Sequence, residues 1–279
     1  MQYLGQHFLR NEIILKEIAD SLALKSGDVV IEIGPGHGEL TGELLKHPIT
    51  VVAIEKDAAL VDFLTKNFQF PISNFQINPE LQLPKLQIIH GDVLKALPSI
   101  IKNLKLKIKN SNYSVVGDIP YYITGYLLRV LSETKQKPKI ITLLIQKEVA
   151  ERIVAEPPKM NLLAAITQSW SVPNILRSVG RKEFSPPPKV DSAIITLIPR
   201  SLPSTLGARE AEYYRFLRTL FKQPRKTIAN NLTAESEFQM PKNELTQELK
   251  QINVNPGDRP QSLSLEDVQN LFKKLYNSR

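Results

Sequence analysis

A short β-branched run, Val29-Val30-Ile31-Glu32-Ile33, passes directly into Gly34-Pro35-Gly36-His37-Gly38, and helix-forming residues begin at Glu39. No other feature of the 279-residue chain constrains its fold as tightly. A run this short, bounded by turn residues, reads as a buried strand. Three glycines in five positions let the chain turn sharply and let its backbone approach a ligand closely. From Glu39 to Lys46, Leu40, Leu44 and Leu45 recur at helical spacing. Upstream, Glu12 to Leu24 is predicted to form an amphipathic helix on Ile14, Leu15, Ile18 and Leu22.

The same unit repeats along the chain. Thr50 to Ile54 reads as a second strand ending at Glu55, followed by a helix from Asp57 to Asn67. Leu86 to His90 ends at Gly91-Asp92, and Tyr113 to Val116 ends at Gly117-Asp118. Ile140 to Ile145 precedes a helix near Glu148 to Val154. Alternating strands and helices predict an α/β fold with a parallel, doubly wound sheet. A late strand, Ala193 to Ile198, follows Pro186-Pro187-Pro188 and is expected as an antiparallel hairpin strand at one edge. Residues 68–84, rich in Phe, Asn, Gln and Pro, read as a loop insertion. After Pro199 the character changes. Residues 200–209 read as a linker, and residues 210–279 show helical patterns only, as at Tyr213, Phe216, Leu217, Leu220 and Phe221. The expected division is an α/β domain over 1–200 and a small all-helical domain over 201–279.

Composition excludes several function classes. No apolar run is long enough to span a membrane, so no membrane partner is expected. Cysteine is absent, which rules out disulfides and thiolate chemistry and fits a cytosolic protein. The four histidines, His7, His37, His47 and His90, lack metal-ligand spacing, so no metal is expected. The net charge of +8 suits a polyanionic partner. Arg215, Arg218, Lys222, Arg225 and Lys226 fall within twelve residues that include no acidic one. A second cluster, Lys102, Lys105, Lys107 and Lys109, alternates with Leu and Ile and equally suits a solvated edge strand. Nothing in the sequence demands more than a monomer.

In a doubly wound sheet, ligands bind beyond the carboxyl ends of the strands, where the glycine turn, Glu55, Asp92 and Asp118 fall. Glu55 stands where a carboxylate would grip ribose hydroxyls. The turn alone fits either a nicotinamide enzyme or a methyltransferase. Its G-x-G-x-G spacing, Glu32 two residues ahead of it, and Asp92 positioned to accept from an adenine amine favour S-adenosylmethionine. Taken singly, any one strand-end carboxylate is better explained as a helix cap or turn former. Asp118-Ile119-Pro120-Tyr121 resembles the [Asn/Asp]-x-Pro-[Tyr/Phe] motif of amino-methyltransferases. Such a motif supplies a side-chain oxygen and a backbone carbonyl to accept from an exocyclic amine, and an aromatic ring to stack on the base.

Gly5-Gln6-His7-Phe8-Leu9, Ile31 to Gly36, Gly117 to Ile123, Gln146 to Ala150 and Phe184 to Ser192 together resemble the rRNA adenine dimethyltransferase family. Within it, Pro224 to Leu232 and Arg259 to Leu265 are similar to the small-subunit branch, the kasugamycin-sensitivity family. The resemblance implies a Rossmann-like class I methyltransferase sheet, S-adenosylmethionine as cofactor, and dimethylation of two adjacent adenines near the 3′ end of small-subunit rRNA in a pre-ribosomal particle. It implies that His7, Leu9, Gly34, Gly36, Glu55, Asp92 and Asp118 line the cofactor site. Asp118 and Pro120 would engage the amine, and Tyr121 and Phe184 would sandwich the adenine. The chain departs from the family at two places: Asp118 replaces the usual Asn, and Met160-Asn161-Leu162-Leu163-Ala164 replaces Tyr-Gly-Arg-Leu-Ser. Two other readings stay open, a macrolide-resistance type acting on large-subunit rRNA and a non-catalytic RNA-binding assembly factor.

Overall fold

The computed structural model describes residues 7–68, 77–78, 83–107, 113–201, 209–233 and 241–277. Two compact units emerge, one of residues 1–150 with 174–199, the other of residues 151–173 with 200–279.

The first unit is built on a seven-stranded sheet. Strand β1 (Phe8–Leu9) precedes helix α1 (Glu12–Ser21), whose N-terminus is capped by the Asn11 side chain accepting from Ile13 and Ile14 N–H. Then come β2 (Val29–Ile33), α2 (Glu39–Leu44), β3 (Thr50–Glu55), α3 (Ala58–Asn67), the two-residue strands β4 (Ile77–Asn78) and β5 (Leu83–Pro84), β6 (Leu86–His90), α4 (Val93–Lys107), β7 (Tyr113–Asp118), α5 (Thr124–Glu133), β8 (Ile141–Gln146) and α6 (Lys147–Ile153). After α7 (Leu162–Trp170) follow β9 (Ser171–Val179), β10 (Phe184–Ser185) and β11 (Ser192–Pro199). The strand order is β6-β3-β2-β7-β8-β11-β9. Strands β2 and β3 are buried along their whole length, which explains why they read as continuous apolar runs.

The chain builds outward from β2 to β3 and β6, then returns to lay β7 on the other side of β2. That reversal is the topological switch point of the sheet, where a ligand crevice is expected. Ile14, Ile18, Leu44, Val51 and Ile194 contribute to the apolar core of this unit.

Two sequence expectations need correction, and one strand was not expected. The late strand β11 is antiparallel to β8 but lies inside the sheet, because β9 covers its other side. Strand β9 itself was not foreseen: Pro173 and Arg177 interrupt its apolar pattern, and most of its side chains are at least partly exposed. The Lys102–Lys107 stretch is helical rather than an edge strand, and α4 carries it despite Pro98 inside the helix. Lys109 lies outside the described residues.

The second unit is helical, with α7 and, after the linker, α8 (Glu210–Leu220), α9 (Ile228–Thr233), α10 (Lys242–Gln251) and α11 (Leu265–Asn277). Its core joins Ala164 and Ala165 of α7 to Tyr213, Phe216 and Leu217 of α8 and Phe272 of α11. The Tyr213 and Phe272 rings meet edge to face at 5.2 Å. Residues 151–173 therefore group with the helical unit, where the sequence expectation had placed its boundary at residue 200. Buried Asn231 ties down the turn before α9, accepting from Gln223 N–H and donating to the carbonyls of Gln223, Lys226 and Thr227. Arg215, Arg218, Lys222, Arg225 and Lys226 are all exposed on α8 and that turn.

Candidate active site

Register fixes the site. Ile33 of β2 pairs with Gly117 of β7 on one side and Ile54 of β3 on the other, and Glu55 pairs with His90 of β6. The last residues of four parallel strands thus stand side by side. Gly34 follows β2 directly, and a Cβ placed there would lie 3.5 Å from the Asp118 carbonyl oxygen. Gly117 permits the close approach, since a Cβ there would meet the Ile33 carbonyl oxygen at 2.4 Å.

The turn itself demands glycine. Gly36 has φ +60°, and a Cβ on it would come within 2.8 Å of the Phe8 ring. Phe8 in turn packs edge-on against His37, ring centres 4.3 Å apart. So β1 lies over the glycine turn. It is held there by β10: Phe8 pairs with Ser185 and Leu9 with Phe184. His7 Nδ1 lies 2.8 Å from the Pro186 carbonyl oxygen, and Asn11 Nδ2 donates to Glu183 at 2.7 Å.

These elements enclose a cavity of about 640 Å³. His7, Leu9, Gly34, Gly36, Glu55, Asp92, Asp118, Pro120 and Phe184 all line it. Tyr121 begins a single 3₁₀ turn, Tyr121–Ile123, and its side chain lies outside the described ones.

The acidic groups have distinct settings. Glu55 Oε1 accepts from Lys56 and Asp57 N–H at 2.7 and 2.8 Å, and Oε2 from Gly36 N–H at 3.4 Å. This carboxylate thus couples the end of β3 to the glycine turn. Asp92 Oδ1 accepts from Leu94 N–H at 3.0 Å at the start of α4, and Oδ2 faces Lys56 Nζ at 3.3 Å. Asp92 is therefore a helix-capping residue and a cavity residue at once. Glu32 is buried; the Thr41 hydroxyl donates to its Oε2 at 2.7 Å, and its Oε1 has no partner among the described residues. Loss of hydration, reinforced by Glu39 and Glu55, pushes its carboxyl up to about 8. Asp118 is pushed up to about 7, again by loss of hydration. The Pro120 carbonyl accepts from Ile123 N–H at 3.0 Å, which leaves it one further lone pair.

The cavity also has lining residues that sequence reasoning did not single out: Lys56, Tyr122 and Tyr126. Lys56 adjoins the strand-end Glu55, a signal open to inspection. Tyr122 and Tyr126 are four residues apart across the 3₁₀ turn and α5, which puts them on one face.

The lining is largely apolar, and among its charged residues Glu32, Glu39, Glu55, Asp92 and Asp118 outnumber Lys56. Such a cavity suits a ligand that carries positive charge together with hydroxyl and amine donors.

The family model for "Ribosomal RNA adenine dimethylase" matches residues 2–277. The chain is similar to "Ribosomal RNA small subunit methyltransferase A" of Dehalococcoides mccartyi, at 35% identity over 98% of this chain and 86% of the relative. It is similar to the protein of the same name from Mycoplasma capricolum, at 35% identity over 99% of this chain and 98% of that one. Among solved structures, it resembles the 23S rRNA methyltransferase ErmE, with TM-score 0.71, 25% identity, and 96% and 99% of the two chains covered. A dimethyladenosine transferase from Plasmodium falciparum shares the fold, with TM-score 0.79, 24% identity, and 97% and 98% covered.

Proposed function

Because this chain belongs to the ribosomal RNA adenine dimethylase family, we propose that it dimethylates the exocyclic amine of two adjacent adenines near the 3′ end of small-subunit rRNA, with S-adenosylmethionine as methyl donor. The substrate is the rRNA of a pre-ribosomal particle, met in the cytoplasm by a monomeric enzyme. No helix among the described residues is long and apolar enough to cross a membrane. The observation that carries the reading is the shared register of Gly34 and Asp118 at adjacent strand ends lining one cavity.

The residues fit the cofactor. Gly34 and Gly36 bring the turn's backbone to the cavity wall, and the carboxylates among the lining residues favour a sulfonium and an ammonium group. The turn at Gly34 and Gly36, with His7 and Leu9 from β1, would hold the amino-acid portion; Glu55 would hold the ribose and Asp92 the adenine. When bound, S-adenosylmethionine supplies an electrophilic methyl group.

The acceptor half is the work of the chain's own residues. An adenine amine is a poor nucleophile because its lone pair is delocalised into the ring. Asp118 and the Pro120 carbonyl accept its two N–H bonds, which frees the lone pair and offsets positive charge growing on nitrogen. Phe184 and Tyr121 hold the base outside its helix, with Phe184 fixed by the β1–β10 ladder. In-line transfer then depends on positioning. The basic face of Arg215, Arg218, Lys222, Arg225 and Lys226 binds RNA phosphates.

The deciding experiment incubates the protein with labelled S-adenosylmethionine and undermethylated small subunits, then digests the rRNA for mass spectrometry. Dimethyladenosine at two neighbouring positions is expected. No incorporation, or label only in large-subunit RNA, overturns the proposal.

A further inference from the structure

Eight large apolar or aromatic side chains are substantially exposed among the described residues, and Tyr122 and Tyr126 alone among them line the cavity. Tyr122 is 71% exposed and Tyr126 is 54% exposed. Scattered exposed apolar residues need no explanation, but two exposed tyrosines that line one cavity do.

Their backbone is fixed from behind. Tyr122 lies in the 3₁₀ turn and Tyr126 in the first turn of α5, four residues on and therefore on the same side. On the opposite side of α5, Thr124, Leu127, Leu128 and Leu131 are buried. Between the two tyrosines, Gly125 has nothing within 4 Å of where a Cβ would be, so the space beside the rings is open. The result is a rigid aromatic step just outside the Asp118–Pro120 segment.

We infer that Tyr122 and Tyr126 form a second base subsite, which stacks the nucleotide flanking the target adenine in a single-stranded stretch of RNA. The inference rests on the RNA-adenine reading of the cavity. A base drawn into the cavity leaves the face of its neighbour bare. An aromatic ring at the mouth replaces the lost stacking, and does so for any base because every base has a π-face. The step is continuous with the acceptor cavity, and the chain's net charge of +8 suits an RNA strand passing over it. Where two adjacent adenines are modified in turn, this subsite keeps the second ordered while the first reacts.

The test measures steady-state methyl transfer to undermethylated small subunits. Replacing both residues, Tyr122→Ala with Tyr126→Ala, is expected to raise KM for subunits about tenfold or more. KM for S-adenosylmethionine should stay within about twofold, since neither residue is assigned to the cofactor. Tyr122→Phe with Tyr126→Phe should behave as wild type, because the ring face stacks and the hydroxyl does not. Ultraviolet crosslinking of the wild-type protein to subunits, with adducts mapped by mass spectrometry, should place a nucleotide on Tyr122 or Tyr126. An unchanged subunit KM in the double alanine variant overturns the subsite, as does a Phe pair as impaired as the Ala pair. If the alanine variant does not fold, the wild-type crosslink decides: no nucleotide adduct, or an adduct to a ribosomal protein instead, overturns it. A wild-type enzyme that transfers no methyl group to small-subunit RNA fails the acceptor reading itself, a result distinct from these.

Discussion

The imidazole of His7 and the carbonyl of Pro186 meet at 2.8 Å although 179 positions separate them. Around that contact the β1–β10 ladder brings Leu9 opposite Phe184, so one short antiparallel pair supplies two residues of the cavity wall. His7→Ala removes the tie while leaving the sheet core intact. A net hydrogen bond contributes roughly 1 kcal/mol, so affinity for S-adenosylmethionine should fall about two- to tenfold with little change in Tm. Calorimetric titration with the cofactor checks this; unchanged affinity would detach His7 from the site.

Asp118 is expected to make methyl transfer pH-dependent. With its carboxyl at about 7, the ionised form, which best accepts from the amine and offsets charge on nitrogen, grows as the pH rises through neutrality. The single-turnover rate should rise between about pH 6 and 8, and Asp118→Asn should flatten that rise. Asp118→Ala should abolish transfer yet keep most RNA binding, which phosphate contacts dominate. A wild-type profile as flat as that of the Asn variant would remove the ionisation from the mechanism.

Glu32 should set the pH dependence of stability. Its folded-state carboxyl at about 8 lies above the ordinary value of 4.5, so between those limits the folded chain holds a proton that the unfolded chain has released. Stability is full below about pH 4.5 and declines as the pH rises through 8. Asp118 acts in the same direction up to about 7. Glu32→Gln keeps an acceptor for the Thr41 hydroxyl without the buried charge. At pH 9 it should be more stable than wild type by a few kcal/mol, of the order of 1.4 per pKa unit. Thermal melts at pH 5, 7 and 9 test the sign: parallel curves for the two proteins contradict it.

Gly36→Ala should damage the cofactor site in two separable ways. Left-handed backbone costs a side chain roughly 1–2 kcal/mol, and the new methyl meets the Phe8 ring. Cofactor affinity should drop at least about tenfold. Adding Phe8→Ala should recover the part due to the ring and not the part due to φ. Wild-type affinity in the single variant would mean that the turn tolerates a side chain.

The basic face of the helical unit should govern RNA affinity. Arg218→Ala with Lys222→Ala should weaken binding to small-subunit RNA and lower the slope of log affinity against log salt by about 2. Filter binding across a salt series measures it, and an unaltered slope makes these residues an ordinary solvated surface.

Most of the sheet and the strand-end residues were legible in the sequence, because buried parallel strands leave unbroken apolar runs and their ends carry glycine or acid. Gly34, Glu55, Asp92 and Asp118 were found that way. Strand β9 was not, since Pro173 and Arg177 break its pattern. Nor could spacing show the pairing of β1 with β10: two-residue strands have no periodicity. The resemblance alone brought His7, Leu9 and Phe184 together. Asp92 shows the converse, since one side chain both caps α4 and lines the cavity.

The division of the chain has a consequence for the gene. Residues 174–199, which supply β10 and β11, are bracketed by two segments of the helical unit, 151–173 and 200–279. The two units are interleaved rather than consecutive. When translation has reached residue 199, Ala164 and Ala165 of α7 are made, but Tyr213, Phe216 and Phe272 are not. The helical core closes only with the last helix, so no single stop codon separates the units. A chimera that borrows another protein's helical unit needs two exchanged segments, one on each side of β10 and β11.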